Sequence, residues 1–135
     1  MTTHKDLDVW KKSMNLVLLT YKVTTQFPKE ELFGLSSQMR RAAVSIPSNI
    51  AEGHGRNSEK ELIRFLYISL GSASELETQL LLSHQLGFMN EESFIKLNDM
   101  NIQVVKMLVS LIRSKNNGAA EDQNKNSNVI NVNNK

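Results

Sequence analysis

Residues 45–53 read SIPSNIAEG, Ser45 to Gly53. A proline here stands where a continuing helix needs an N–H. Polar Ser45, Ser48, Asn49 and Glu52 interleave with apolar Ile46, Ile50 and Ala51. In a helix, Pro47 would remove one hydrogen bond and crowd the carbonyl four residues back, at Ala43, costing about 3 kcal/mol or more. The stretch either ends a helix or sits in one whose apolar face holds it in place. The residues on both sides decide for the second. Leu35, Met39, Ala42, Ile46, Ile50 and Gly53 step by three and four, which makes one apolar face of a helix over about Ser36–His54. A kink is expected near Pro47.

The same period recurs on both sides of this segment. Upstream, Trp10, Met14, Val17 and Tyr21, with Leu18 beside them, predict a helix from about Asp8 to Phe27, capped by Asp6 or Asp8 and stopped by Pro28. Downstream, Ser58 and Glu61 form an S-x-x-E capping box before an apolar run. The helix they open reaches Leu86, with Gly87 as its stop, a length of about 43 Å at 1.5 Å per residue. Leu62, Phe65, Leu66, Leu76 and Leu80 form its seam, and the small residues of Ser69–Ser74 allow another helix to approach. A fourth helix starts at the cap Asn90, presents Phe94, Leu97, Val104, Leu108 and Leu111, and ends near Arg113. β-branched alternation is rare. Short connections between four helices predict an all-α, antiparallel up-down-up-down four-helix bundle over residues 6–114. Residues 115–135 are asparagine-rich, with little to bury beyond Val129 and Ile130, and are expected to be a disordered tail.

Composition narrows the function. The chain has 135 residues, the length of one domain, and no cysteine, which excludes disulfides, thiolate metal sites and cysteine nucleophiles. No signal-peptide pattern opens it, and no apolar run approaches the roughly 20 residues that span a bilayer, so a cytoplasmic protein is expected. His4, His54 and His84 are isolated, and neither Glu75/Glu77 nor Glu91/Glu92 is spaced to share a helical face, so no metal site, cofactor or catalytic constellation is predicted. Gly53–Ser58 echoes a phosphate loop but follows a helix instead of a strand and lacks the Gly-Lys-Ser/Thr ending.

Two groups of residues remain as candidates. Arg41, Ser45, Ser48 and Glu52 recur at four, three and four, with Asn49 and Arg56 alongside; with Pro47 and Gly53 they read as a structural motif that fixes helix register or an oligomer interface, the alternative being a ligand or nucleic-acid contact. The net charge is only +2, but residues 1–64 carry ten Lys/Arg against seven Asp/Glu, and residues 65–115 four against five. Arg56, Lys60 and Arg64 recur every four residues where free N–H groups of a helix start favour anions, and Lys11, Lys12 and Arg40 add to a candidate phosphate-backbone contact.

Three strings carry a resemblance: DLDVWKKSMNL (6–16), FPKEELFGLSSQMRRAAVSIPSNIAEGHGR (27–56) and FLYISLGSASELETQLLLSHQLGF (65–88). Over about residues 6–114 the chain resembles the bacterial four-helix-bundle family encoded in intervening sequences within 23S ribosomal RNA genes. The resemblance implies an antiparallel bundle similar to the accessory protein of diversity-generating retroelements. It further implies a ring-like homopentamer, a reverse-transcriptase partner and nucleic-acid binding through basic surfaces. No catalytic activity comes with it. The function expected is therefore a non-enzymatic, homo-oligomeric scaffold that binds structured RNA. The alternative is a protein-interaction module with no nucleic acid, its basic residues being ordinary surface.

Overall fold

The structure, a computed structural model, describes the backbone of residues 3–133 and the side chains of residues 3–118. Four helices make up the fold, α1 (Asp8–Thr24), α2 (Leu35–His54), α3 (Glu59–Gln85) and α4 (Glu91–Asn133), and the described residues contain no strand. Short 3-10 turns at His4–Asp6 and Lys29–Glu31 precede α1 and α2. Each helix packs against its neighbours in sequence, and α1 also packs against α4, while the backbones of the pairs α1/α3 and α2/α4 stay further apart. Leu16, Met39, Ile46, Ile50, Leu66, Leu76, Leu80, Leu97, Val104 and Leu108 are buried completely between them.

Pro47 does not break α2. The helix runs through it from Leu35 to His54, and Pro47 is buried. Burial of Met39, Ala42, Ala43, Ile46, Ile50 and Gly53 on one face holds the helix across the missing hydrogen bond. α3 closes on this face. The Ser69 hydroxyl donates to the Ile46 carbonyl at 2.9 Å, the Ser45 and Ser72 hydroxyls meet at 2.7 Å, and Ser83 donates to the Met39 sulfur at 3.2 Å. The helices also approach tightly at Gly53, where a Cβ would lie 2.7 Å from Phe65 Cβ and 3.3 Å from the Leu62 carbonyl.

The helix ends follow their capping residues with two departures. Asn90 Oδ1 accepts from the Ser93 N–H at 2.7 Å, and Gly87, at φ 78°, turns the chain out of α3. Ser58 accepts from the Glu61 N–H at 3.0 Å, but the Glu61 carboxylate turns to Arg64 instead of closing the box. α1 is preceded by Leu7, which offers no side-chain cap; Asp6 is used one turn earlier, where it accepts from the Thr3 N–H.

α1 turns only part of its predicted apolar face inward: Trp10 and Val17 are half-buried against the core. Val9, Ser13, Leu16, Thr20 and Thr24 are buried, while Met14, Leu18 and Tyr21 are exposed. The hydroxyls tolerate burial because each donates to a carbonyl of its own helix: Ser13 to Trp10, Thr20 to Leu16 and Thr24 to Thr20. α4 is bounded by Glu91 and Asn133 and so includes most of the asparagine-rich segment. The side chains of Val129 and Ile130 lie outside the described residues.

Two buried polar atoms lack partners among the described residues, Gln79 Oε1 and Asn101 Oδ1. Asn101 is fully buried, and its amide nitrogen donates across to the Ala73 carbonyl at 2.9 Å.

Candidate nucleic-acid interface

The second turn of α3 and the end of α2 meet at Gly53, and the cationic residues collect around that contact. Phe65, buried against Gly53, carries two guanidinium groups over its ring: Arg64 with Cζ at 4.4 Å from the centroid and Arg56 at 5.3 Å. Such stacking fixes an otherwise long side chain while leaving its donors outward. Both arginines and Lys60 are exposed. Arg56 also holds Glu52 at 2.6 Å, and Arg64 holds Glu61 at 2.7 Å. The hydrogen bond from Arg64 is the main reason that the Glu61 carboxyl sits below its usual range; desolvation opposes it, and the charges of Arg64, Arg56 and Lys60 add to the lowering. Lys60 has no carboxylate partner among the described residues. Leu7, Gly53, His54, Arg56, Ser58 and Lys115 contribute to the lining of one cavity of about 300 Å³, so the start of α1 stands at this same end of the molecule.

The remaining candidates are dispersed. Lys11 is exposed on the first turns of α1 and Lys12 is half-buried. Arg40 lies elsewhere and is committed to the fold: its Nε donates to Thr24 Oγ1 at 2.9 Å, and its guanidinium covers the Tyr21 ring at 4.8 Å. Three of the six cationic candidates, Arg56, Lys60 and Arg64, therefore form one surface, and Arg40 does not join it.

The polar stripe of α2 faces outward for most of its length. Arg41, Ser48 and Glu52 are exposed, while Ser45 and Asn49 are half-buried. Asn49 donates to the Ser45 hydroxyl at 2.9 Å and to its carbonyl at 2.8 Å, and Ser45 meets Ser72, so the buried end of the stripe is an α2–α3 link. Pro47 and Gly53 belong to the buried face.

Among the described residues no group of three or more His, Asp or Glu side chains is placed to hold a metal ion. None of the described helices is long and apolar enough to cross a membrane. Reading the sequence for its apolar repeat missed the outward set of apolar side chains. Phe33, in the connection before α2, is 91% exposed, and Leu18, Tyr67, Leu82 and Leu86 are also on the surface.

Residues 5–110 match the 23S rRNA-intervening sequence protein family. A solved structure is similar over 78% of this chain and 95% of its own, with 27% identity and a TM-score of 0.73: a protein of unknown function from the S23 ribosomal protein family of Bacteroides thetaiotaomicron. No curated protein matches the chain.

Proposed function

The chain belongs to the 23S rRNA-intervening sequence protein family, and from that premise we propose that it is a non-enzymatic, homo-oligomeric helical scaffold that binds structured RNA or another nucleic acid in the cytoplasm. The observation that carries this reading is the cationic surface of Arg56, Lys60 and Arg64 around Phe65. Two guanidinium planes held against a buried ring, with a lysine beside them at the start of a helix, suit phosphate oxygens at a fixed spacing.

The arrangement proposed is an antiparallel, up-down-up-down bundle assembled into a ring, with five copies as its working number. The antiparallel order is supported by the cross-links, which run from Met39–Ser83 through Ile46–Ser69 to Gly53–Phe65. A reverse-transcriptase-type enzyme is the protein partner this reading allows.

The test is binding of a structured RNA hairpin across a salt series. Log affinity should fall linearly with log salt, by roughly 0.7–0.9 per phosphate neutralised. Replacing Arg56, Lys60 and Arg64 together by glutamine should make that slope shallower by about 2–3. Absent binding at low salt, or an unchanged slope, would overturn the proposal.

A second reading, a protein-interaction module without nucleic acid, is favoured by one observation. Glu52 and Glu61 already pair with Arg56 and Arg64. A partner retained after nuclease treatment, with no bound strand, would select it.

A further inference from the structure

α2 and α3 leave an open polar groove between them. Gln38, Arg41, Ala42 and Ser45 of α2 and Ser72 and Glu75 of α3 line a volume of about 510 Å³. The groove exists because small residues face one another there. Ala42 is buried, and the Ser45 and Ser72 hydroxyls tie the two walls together at 2.7 Å. Its size falls within the roughly 300–1,000 Å³ of small-molecule sites.

Each wall carries one charge, and the two are of opposite sign. Arg41 and Glu75 are both exposed, and neither makes an ion pair among the described residues, with each other or with any other side chain. Glu75 is nevertheless anchored. Gln79, one turn further along α3 and only 5% exposed, donates from Nε2 to Glu75 Oε1 at 3.2 Å. That bond leaves Glu75 Oε2 for another donor. Gln79 Oε1 is itself buried without a partner among the described residues, so acceptors outnumber donors along this stretch of α3.

The lining selects the class of ligand. An anion would meet Arg41 and be repelled by Glu75, and a cation would meet the reverse. A molecule carrying both charges satisfies both walls. One aliphatic methyl, that of Ala42, stands against two hydroxyls, an amide and two charged groups, so the ligand is polar. We infer that this groove binds a small polar zwitterion, an α-amino acid. The planar guanidinium of Arg41 takes its carboxylate through two parallel N–H donors. Glu75 Oε2 takes its ammonium, which brings three donors to a wall short of them. Arg41 stands about 18 Å along α2 from Gly53, so this site is separate from the cationic surface around Phe65.

The experiment follows backbone amide shifts of the full-length chain by NMR during titration with three probes: L-glutamine, N-acetyl-L-glutamine and L-glutamine amide. The first keeps both charges, the second lacks the ammonium and the third lacks the carboxylate. Mildly acidic solution keeps the free amines protonated. L-Glutamine should shift the amides of Gln38, Arg41, Ser45, Ser72 and Glu75 saturably, and each analogue should bind about tenfold more weakly. Arg41→Gln should abolish the preference over the amide while keeping the preference over the N-acetyl form, and Glu75→Gln should do the reverse. Circular dichroism establishes that both variants, altered at exposed positions, keep the wild-type helix content. No saturable shift of these amides with L-glutamine would overturn the site. Equal affinity of the wild-type chain for all three probes would overturn the zwitterion, and variants that keep both preferences, or lose both together, would overturn the roles given to Arg41 and Glu75.

Discussion

Gly53 and Gly71 are both helical glycines, and the same substitution should move stability in opposite directions at the two positions. Exchanging glycine for alanine inside a helix gains about 1 kcal/mol from the reduced freedom of the unfolded chain and better helix propensity. At Gly71 a new Cβ meets no atom within 4 Å, so this gain should appear in full. At Gly53 the new Cβ would stand 2.7 Å from Phe65 Cβ and 3.3 Å from both Leu62 Cδ1 and the Leu62 carbonyl. Neither Phe65 Cβ nor a carbonyl is the free end of a flexible side chain, so α2 and α3 must separate by more than half an ångström. A gap of about 0.5–1 Å forfeits a quarter to a half of each affected dispersion contact. Overpacking of this kind costs about 1–3 kcal/mol, which exceeds the propensity gain. Gly53→Ala should therefore lose about 1 kcal/mol net, and the two variants should differ by about 2 kcal/mol. Urea unfolding followed by circular dichroism measures this, with light scattering establishing that both variants keep the same assembly. In thermal melts the separation should be roughly 10 °C. Equal stabilisation by both substitutions would refute the close approach at Gly53.

Two further outcomes follow from single side chains. Asn101→Asp removes the donor to the Ala73 carbonyl and places a carboxylate in a fully buried position, so it should cost about 3–5 kcal/mol at neutral pH. Burial raises that carboxyl's pKa in the folded state, so the deficit should shrink on acidification; a loss independent of pH in urea titrations would contradict the burial of a charge. Arg64→Gln removes the hydrogen bond that chiefly holds the Glu61 carboxyl below its usual range, and its NMR titration midpoint should move up. In the parent chain this depressed carboxyl contributes stability above its unfolded pKa and loses it as pH falls through the folded value. A midpoint that stays in place would show that Arg64 is not the cause.

The parts of the fold legible in the sequence are those where apolar residues do the packing. The α2 face of Met39, Ala42, Ile46, Ile50 and Gly53 and the α3 seam of Leu62, Phe65, Leu66, Leu76 and Leu80 are buried as their spacing predicts. On α1 the spacing finds Trp10 and Val17, which pack against the core, but misplaces Met14, Leu18 and Tyr21, which outrank the buried Ser13, Thr20 and Thr24 in hydropathy. A hydroxyl that returns its hydrogen bond to its own helix can be buried without a partner elsewhere, and hydropathy does not register that. The position of Asn101 is legible in the sequence, between Leu97 and Val104 in the seam that continues to Leu108. Of the cationic candidates, Arg56, Lys60 and Arg64 are exposed, and the two arginines share the Phe65 ring. Nothing in the neighbourhood of Arg40 along the chain revealed that Thr24 and Tyr21 would occupy it.

The inward hydroxyls of α1 bear on how the molecule comes apart. α2 and α3 are tied by side chains that reach across, Ser69 to the Ile46 carbonyl and Ser45 to Ser72. The buried hydroxyls of Ser13, Thr20 and Thr24 spend their protons on α1 itself, and of the three only Thr24 receives a bond from another helix, from Arg40. If α1 swings away as a unit, these three hydroxyls carry their acceptors with them, and only the bond from Arg40 to Thr24 is broken. The α2–α3 hairpin is thus the durable unit of the bundle, and α1 is the helix whose opening is cheapest, a sub-global fluctuation that exposes Leu16 and the core beneath it before the hairpin yields.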